Sequence, residues 1–452
     1  MKPVQLSLNL IENETPHYVE LGRTIETNGL GNKLAPDDKA FHDWYRFVLS
    51  YPAHLVSYYI RDFRLSPGQV ILDPFCGTGT TLVEAKRQGF ESVGLEANPI
   101  AQFASQVKVD WDIHPSKLLS VANDVAQEVY AIFKQQGIDD NVVTVNIKFP
   151  VHLKTLSDDA AKLILSNSIS PLPLHKALLL LEVLSTKSAE RCYQHLRLAF
   201  AKALVFEISN LHFGPEVGVG KLKQDVPVVA AWLAEVQNMA KDLQKVQGIS
   251  HPKSEVFLAD SRQLGNILKP ASVDAVITSP PYPNEKDYTR TTRLESVMLG
   301  FIRNREDLRN LKKSLVRSNT RGVYKGDDDD NWISENHEIA EIADAIENRR
   351  IELGKTSGFE KLYGKVTRLY FGGMARHLIE LRSILRPGAQ LAYVVGDQAS
   401  YLRVMIRTGQ LLAQIAETVG YDVERIDLFR KRFATATKQE LREEVVILRW
   451  KG

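Results

Sequence analysis

The sequence predicts an α/β fold, a parallel doubly wound sheet carrying a helical insert, and three observations predict it. An apolar run at 69–72 leads into Leu-Asp-Pro-Phe-Cys-Gly-Thr-Gly-Thr-Thr at 72–81, the pattern of a strand, a glycine turn and a helix. A second strand at 92–95 and a helix from Pro99 to about Asp110 follow at once. Far downstream, an apolar strand at 273–277 runs into Thr-Ser-Pro-Pro-Tyr at 278–282.

The remaining elements follow in order. Residues 1–40 are polar and turn-rich, with Asn28-Gly29-Leu30-Gly31-Asn32, and read as an arm lying on the body. Residues 41–110 form the first half of the sheet domain. Residues 111–250 interrupt the strand–helix rhythm with leucine-rich helices at 175–184 and from Ala189, and an amphipathic helix at 228–246. In that last helix Val229, Trp232, Leu233, Val236, Met239 and Leu243 recur at helical spacing, as the core of a helical insert requires. Strands resume at 255–258 and 273–278, within a second half spanning 251–302. A second insert, basic and then acidic, covers 303–365. The sheet domain closes over 366–452, with a helix at 369–385, a strand at 390–395, a helix at 409–419 and strands at 422–429 and 445–450.

Composition narrows the class. The chain has 452 residues, 44% hydrophobic and 25% charged, which is ordinary for a globular protein and long enough for two or three domains or one large domain with inserts. No apolar stretch reaches the length of a membrane span, and the first residues lack the features of a signal peptide, so a cytoplasmic protein without membrane contact is expected. The only cysteines are Cys76 and Cys192, too few and too isolated for a disulfide framework or a zinc site, and no metal is expected. A net charge of +2 leaves any nucleic-acid surface to be local.

The first motif reads as a cofactor loop. Gly77 and Gly79 permit positive φ and a close ligand approach, and the helix from Thr80 directs free amides outward, joined by the hydroxyls of Thr80 and Thr81. Asp73 at the strand tip suits an ammonium group. A carboxylate site beside an ammonium site describes an amino acid, such as the methionine end of S-adenosylmethionine. Glu96 lies 19 residues after Gly77, the offset of an acid that binds ribose hydroxyls. Asp260, after the strand at 256–258, either reaches the adenine amino group or caps a helix at 261–264.

The second motif reads as a grip on an exocyclic amine. Pro280 and Pro281 lack backbone donors and fix the direction of their carbonyls. The Ser279 hydroxyl and the Pro280 carbonyl then accept from both amino hydrogens, turning the nitrogen lone pair toward a methyl sulfonium. Tyr282 offers a stacking face for a base flipped out of a duplex.

At these residues the chain resembles the amino-methylating DNA methyltransferases, whose pattern includes an Asp-Pro-Phe-x-Gly-x-Gly-Thr loop and a Ser-Pro-Pro-Tyr motif. The neutral Ser279 resembles the cytosine-N4 branch, with adenine N6 as the alternative. Upstream, Phe41-His42-Asp43-Trp44-Tyr45-Arg46-Phe47 and Tyr51-Pro52-Ala53-His54-Leu55 look like that family's cofactor-covering segment. The resemblance covers about 41–110, 255–300 and 365–452. It implies a class I methyltransferase (Rossmann-like) sheet of seven strands with the last antiparallel, and S-adenosylmethionine as cofactor. It further implies cofactor contacts from Tyr51, Pro52, Phe75, Cys76 and Asn98, double-stranded DNA as partner, and a setting of restriction–modification or defence, with cognate proteins of those systems as further partners. A methyltransferase-fold subunit that binds DNA without catalysis is the rival from another class, and the intact 77–79 and 279–282 motifs argue against it.

Target reading is expected from the inserts, with 111–250 the larger candidate. Lys286, Asp287, Tyr288 and Arg290, just past the second motif, are candidates to line the base pocket. Arg303, Arg305, Arg309, Lys312, Lys313, Arg317, Arg321 and Lys325 form a basic run that fits either phosphate contact or a solvated surface, with Asp327–Asp330 opposing the first. His212, Glu216, Lys221 and Lys223 around Gly214-Pro215 read as a polar turn inside the first insert.

Overall fold

The structure is a computed structural model that describes residues 21–25, 34, 38–47, 50–141, 152–214, 216–284, 286–434 and 439–452. The N-terminal turn at 28–32 lies outside the described residues.

Ten strands are described: β1 (Leu21–Thr24), β2 (Val70–Asp73), β3 (Glu91–Glu96), β4 (Leu211–Phe213), β5 (Val217–Val219), β6 (Ser254–Leu258), β7 (Val273–Thr278), β8 (Leu385–Gly396), β9 (Asp422–Ala434) and β10 (Gln439–Arg449). Eight of them form one sheet in the order β1-β9-β10-β8-β7-β2-β3-β6, and β4 pairs with β5 in a separate hairpin. β10 runs antiparallel to β8 and β9, and every other pairing in the large sheet is parallel. Without β1 this is the class I methyltransferase sheet, last strand reversed. The arm adds an eighth strand, β1, along β9.

The central strands read as unbroken apolar runs because both faces are covered. Ile71, Ala275, Ile277, Ala392 and Val394 face helix α1 (Ala53–Asp62), against Leu55, Val56 and Tyr59. Leu72, Val276, Leu391 and Tyr393 face the other way, onto Tyr370, Phe371, Met374 and Leu378. Each such aliphatic side chain stabilises the fold by about 1.5–3 kcal/mol over exposure.

Helix α2 (Thr80–Arg87) follows β2 and α3 (Pro99–Lys108) follows β3. The first insert stacks α4 (Pro115–Gln135), α5 (Pro171–Ser185), α6 (Tyr193–Ala203) and α7 (Val228–Val246) on α3, and Phe41 and Trp44 share their core. The apolar stripe of α7 is that core: Trp232 is fully buried and its Nε1 donates to Leu196 O at 3.0 Å. Lys176 lies buried between Asp140 (3.1 Å) and Asp225 (2.6 Å), and Asp140 also accepts from the backbone of Val228 and Val229 at the start of α7. A buried ammonium is tolerable only when surrounded in this way.

The second insert contributes α8 (Arg305–Ser314) and α9 (His337–Glu352), followed by α10 (Tyr363–Arg382) and, after β8, α11 (Thr408–Thr418). Its residues Ile339 and Ile346 join the core beneath the sheet. The helix expected at 369–385 therefore starts six residues early at Tyr363, and its expected last residue, Leu385, opens β8 instead. Ser383 caps α10, so the chain turns from helix to strand without a long loop.

Candidate active site

The loops that follow the carboxyl ends of the central strands meet in one cavity of about 640 Å3. It forms where the chain order reverses between β2 and β7, the place at which open α/β sheets bind ligands. Its wall combines Pro74–Thr78 and Thr80 after β2, Glu96–Asn98 after β3, Ala259 and Ser261 after β6, Ser279–Tyr282 after β7 and Gln398–Ser400 after β8.

The glycine loop has the conformation its sequence calls for. Gly77 and Gly79 sit at φ 52° and 83°, and a methyl at Gly79 would lie 2.8 Å from Ser105 Oγ. Glu96 closes the loop from below: its Oε2 accepts from Gly77 N at 2.9 Å and its Oε1 from Asn98 N at 2.8 Å. Burial outweighs these two bonds and pushes its carboxyl up to about 7. Asn98 is buried, donates to Thr292 Oγ1 at 3.3 Å, and its Oδ1 has no partner among the described residues. Phe75 lies edge-on to His377, 4.8 Å between ring centroids. His377, buried and pushed down to about 4, is fixed by Ser261 O at 2.9 Å and Tyr393 Oη at 2.7 Å.

Several expected cofactor residues stand behind the wall rather than on it. Asp73 is fully buried and absent from the cavity lining. Its Oδ1 accepts from Thr278 Oγ1 at 2.6 Å and Phe75 N at 3.1 Å, and its Oδ2 from Tyr51 Oη at 3.2 Å. Burial raises its carboxyl to about 6. The expectation of a direct ammonium contact is thus replaced by a strut: Asp73 ties the first motif to the second. Thr81 does the same, donating to Ile277 O at 3.0 Å, and also hydrogen-bonds Tyr51. Pro52 caps α1, and Gly79 is covered by α3. Asp260 is neither on the wall nor a helix cap. The Arg262 guanidinium takes its carboxylate (2.7–3.2 Å) and bridges it to Asp329, and only a short 3-10 turn, Leu264–Asn266, follows. Tyr51, Phe75, Cys76, Gly77, Thr80, Glu96 and Asn98 do line the cavity.

Ser279, Pro280, Pro281 and Tyr282 line it too. The Ser279 hydroxyl donates to Val394 O at 3.1 Å and also lies within hydrogen-bonding reach of the Tyr282 hydroxyl, so at most part of its acceptor capacity faces the cavity. The Tyr282 ring lies against Gly396, where a methyl would come within 2.9 Å of Cε2. Lys286, Asp287 and Tyr288 reach the same wall. Asp287 is largely spoken for: it caps Tyr288–Thr291 by accepting from Thr289 N at 3.0 Å and holds Lys312 Nζ at 2.8 Å. Burial opposes its charge, but Lys312 and Thr289 keep its carboxyl below the usual range. Arg290 departs from expectation. It pairs with Glu216 at 3.1 Å and lines, with Phe213 and Arg321, a small cavity that adjoins the main one across Lys286, Asp287 and Tyr288.

The basic run divides. Arg317 is buried against Asp327, and Lys312 is held by Asp287, so neither is a free surface cation, whereas Arg303, Arg305, Arg309, Lys313 and Lys325 are exposed. Asp327 and Asp329 are themselves neutralised by Arg317, Arg262 and Arg376. In the first insert, Lys223 Nζ donates to Glu207 O at 2.6 Å. Among the parts of the wall that sequence reasoning missed are Ala259 and Ser261, the segment 314–319 of the second insert apart from Arg317, Gln398–Ser400, and Phe429, Arg430, Arg432, Leu441 and Glu443 from the β9–β10 hairpin. The available signal for the hairpin was charge complementarity, Arg430-Lys431-Arg432 against Glu443-Glu444.

A family described as DNA methylase, the N6/N4 methyltransferases, matches residues 27–105. The Type II methyltransferase M.BsoBI of Geobacillus stearothermophilus is 27% identical, over 95% of this chain and 88% of its own. The Type II methyltransferase M.AvaI of Nostoc sp. is 23% identical, over 87% of this chain and 81% of its own. A solved SAM-dependent methyltransferase from Methanosarcina mazei is 9% identical at a TM-score of 0.29, covering 87% of this chain and 96% of that one.

Proposed function

We propose that this chain, which is similar to the amino-methylating DNA methylases, methylates the N4 amino group of a cytosine flipped out of double-stranded DNA, at a specific sequence. Its cofactor is S-adenosylmethionine, which when bound supplies an electrophilic methyl group on sulfur. The residues present fit it. A cavity of about 640 Å3 has room for a nucleoside-sized ligand and a base, and the buried, unpartnered Asn98 Oδ1 and the partly open Glu96 carboxylate supply acceptors for its hydroxyl and amino groups. Phe75 offers a ring to the adenine, and the loop amides after Gly77 offer donors to the carboxylate.

One observation carries the reading of the second motif: the Ser279 proton is committed to Val394 O. A hydroxyl whose proton points to Val394 O presents an acceptor lone pair beside the one that meets Tyr282, and with the Pro280 carbonyl it orients an –NH2 group by both its hydrogens. Tyr282 stacks on the base. With S-adenosylmethionine bound, the nitrogen so oriented would take the methyl group, the N–C bond forming as the S–C bond breaks and one amino proton passing to solvent. Catalysis is positioning and orientation, without a dedicated base. Cytosine is favoured by the neutral Ser279, which resembles the cytosine branch, and by Asp287 and Tyr288, which narrow the pocket beyond Tyr282. Modified-base sequencing of DNA from cells expressing the protein tests this. It should reveal 4-methylcytosine in one sequence context, absent with Ser279→Ala; unmodified DNA from cells with the wild-type chain would refute it.

A further inference from the structure

The β9–β10 hairpin brings to the cavity a charge arrangement that amine orientation leaves unused. Glu443 is buried and faces Arg430 in register across the hairpin. Arg430 holds it in a fork, Nε to Oε2 at 3.0 Å and Nη2 to Oε1 at 2.7 Å. Arg432 approaches the same carboxylate with its Nε 3.0 Å from Oε1. Two guanidinium groups thus share one carboxylate, leaving net positive charge on the wall. The two Nη groups of Arg432 have no acceptor among the described residues. This fork is next to the second motif: a methyl on Gly396 would lie 2.9 Å from Tyr282 Cε2 and 3.4 Å from Glu443 Cγ, so the stacking ring and the carboxylate that anchors Arg432 are neighbours.

A two-donor fork matches two acceptors side by side. Beside its amino group cytosine presents N3 and then O2, both acceptors. Adenine presents N1 and then a C–H. We infer that Arg432, positioned by Glu443, is the specificity-determining residue that donates its free fork to N3 and O2 of the target cytosine while Ser279 and Pro280 hold N4. The inference rests on the cytosine-N4 reading. A cation at N3 draws electron density away from the amine, so the contact serves base selection and its loss falls mainly on KM.

The test uses the full chain and a duplex carrying its methylated sequence, with the target cytosine either intact or replaced by 3-deazacytosine, which keeps the amine and O2 but lacks the N3 acceptor. Loss of a bidentate base contact corresponds to about 10- to 100-fold. The wild-type protein should lose that factor in kcat/KM on the analogue. Arg432→Gln should lose it on the ordinary duplex, mainly through KM, and lose nothing more on the analogue. Arg432→Lys, which keeps charge without the fork, should behave like Arg432→Gln, and unchanged S-adenosylmethionine affinity certifies folding of both. If the product is 4-methylcytosine but Arg432→Gln has wild-type KM, or the analogue penalises variant and wild type equally, the inference falls and the cytosine reading stands. A 6-methyladenine product overturns both.

Discussion

Thr278→Val removes a hydroxyl and almost nothing else of the side chain's shape, yet it cuts the shortest link between the two motifs. The hydroxyl donates at 2.6 Å to Asp73, which is fully buried with its carboxyl at about 6. A hydrogen bond to a charged acceptor in such a place is worth about 1.5–3 kcal/mol, equivalent to roughly one to two pKa units. A carboxyl raised in the folded state binds its proton more tightly there than in the unfolded chain, where it titrates near 3.9. Its contribution therefore favours folding below about pH 4 and is lost as pH climbs to about 6, a change of ~3 kcal/mol. Without the Thr278 hydroxyl the folded value moves higher still, and the window of lost stability extends past pH 7. Urea unfolding should then show Thr278→Val less stable than wild type by about 1.5–3 kcal/mol at pH 8, and by about 1 kcal/mol or less at pH 4.5, where Asp73 is protonated in both. In an Asp73→Asn background the pH 8 difference should shrink to the pH 4.5 value. An equal difference at both pH values, or additivity with Asp73→Asn, would show that Asp73 is not the strut described.

Other expected outcomes follow from the same wall. Glu96 sits near pH 7 because burial disfavours its charge, so S-adenosylmethionine hydroxyls that donate to the ionised form should bind more tightly as pH rises through 7, by up to about tenfold per unit below that point. Calorimetry at pH 6 and 8 checks this, and Glu96→Gln should flatten the dependence. Gly396→Ala places a methyl 2.9 Å from Tyr282 Cε2, and turnover should fall while cofactor affinity holds; full activity would mean the ring position is unimportant. Tyr282→Ala should lose about 1–3 kcal/mol of base stacking, and Tyr282→Phe should lose much less, as read from kcat/KM on DNA.

The sheet was legible because buried parallel strands leave unbroken apolar runs: those around Leu72 and Val276 placed β2 and β7 within a residue of their bounds. Helix ends were less so, since α10 begins at Tyr363 inside a stretch read as insert, and the breaker pair Pro387-Gly388 falls inside β8 rather than between helix and strand. Within the candidate site, residue types near a motif indicated the neighbourhood but not the direction of a side chain. Asp73 and Asp260 both stand at strand tips, and only three-dimensional packing turns one toward Thr278 and the other toward Arg262. Arg432 and Glu443 lie more than 140 residues beyond Tyr282, and only the pairing of β10 with β9 on one side and β8 on the other brings them to it.

The atom that receives the methyl group decides between the cytosine and adenine readings. Purified protein, S-adenosylmethionine and unmodified DNA, followed by digestion to nucleosides and mass spectrometry, measure it directly. The account predicts 4-methylcytosine with wild type and none with Ser279→Ala; 6-methyladenine without 4-methylcytosine would contradict it.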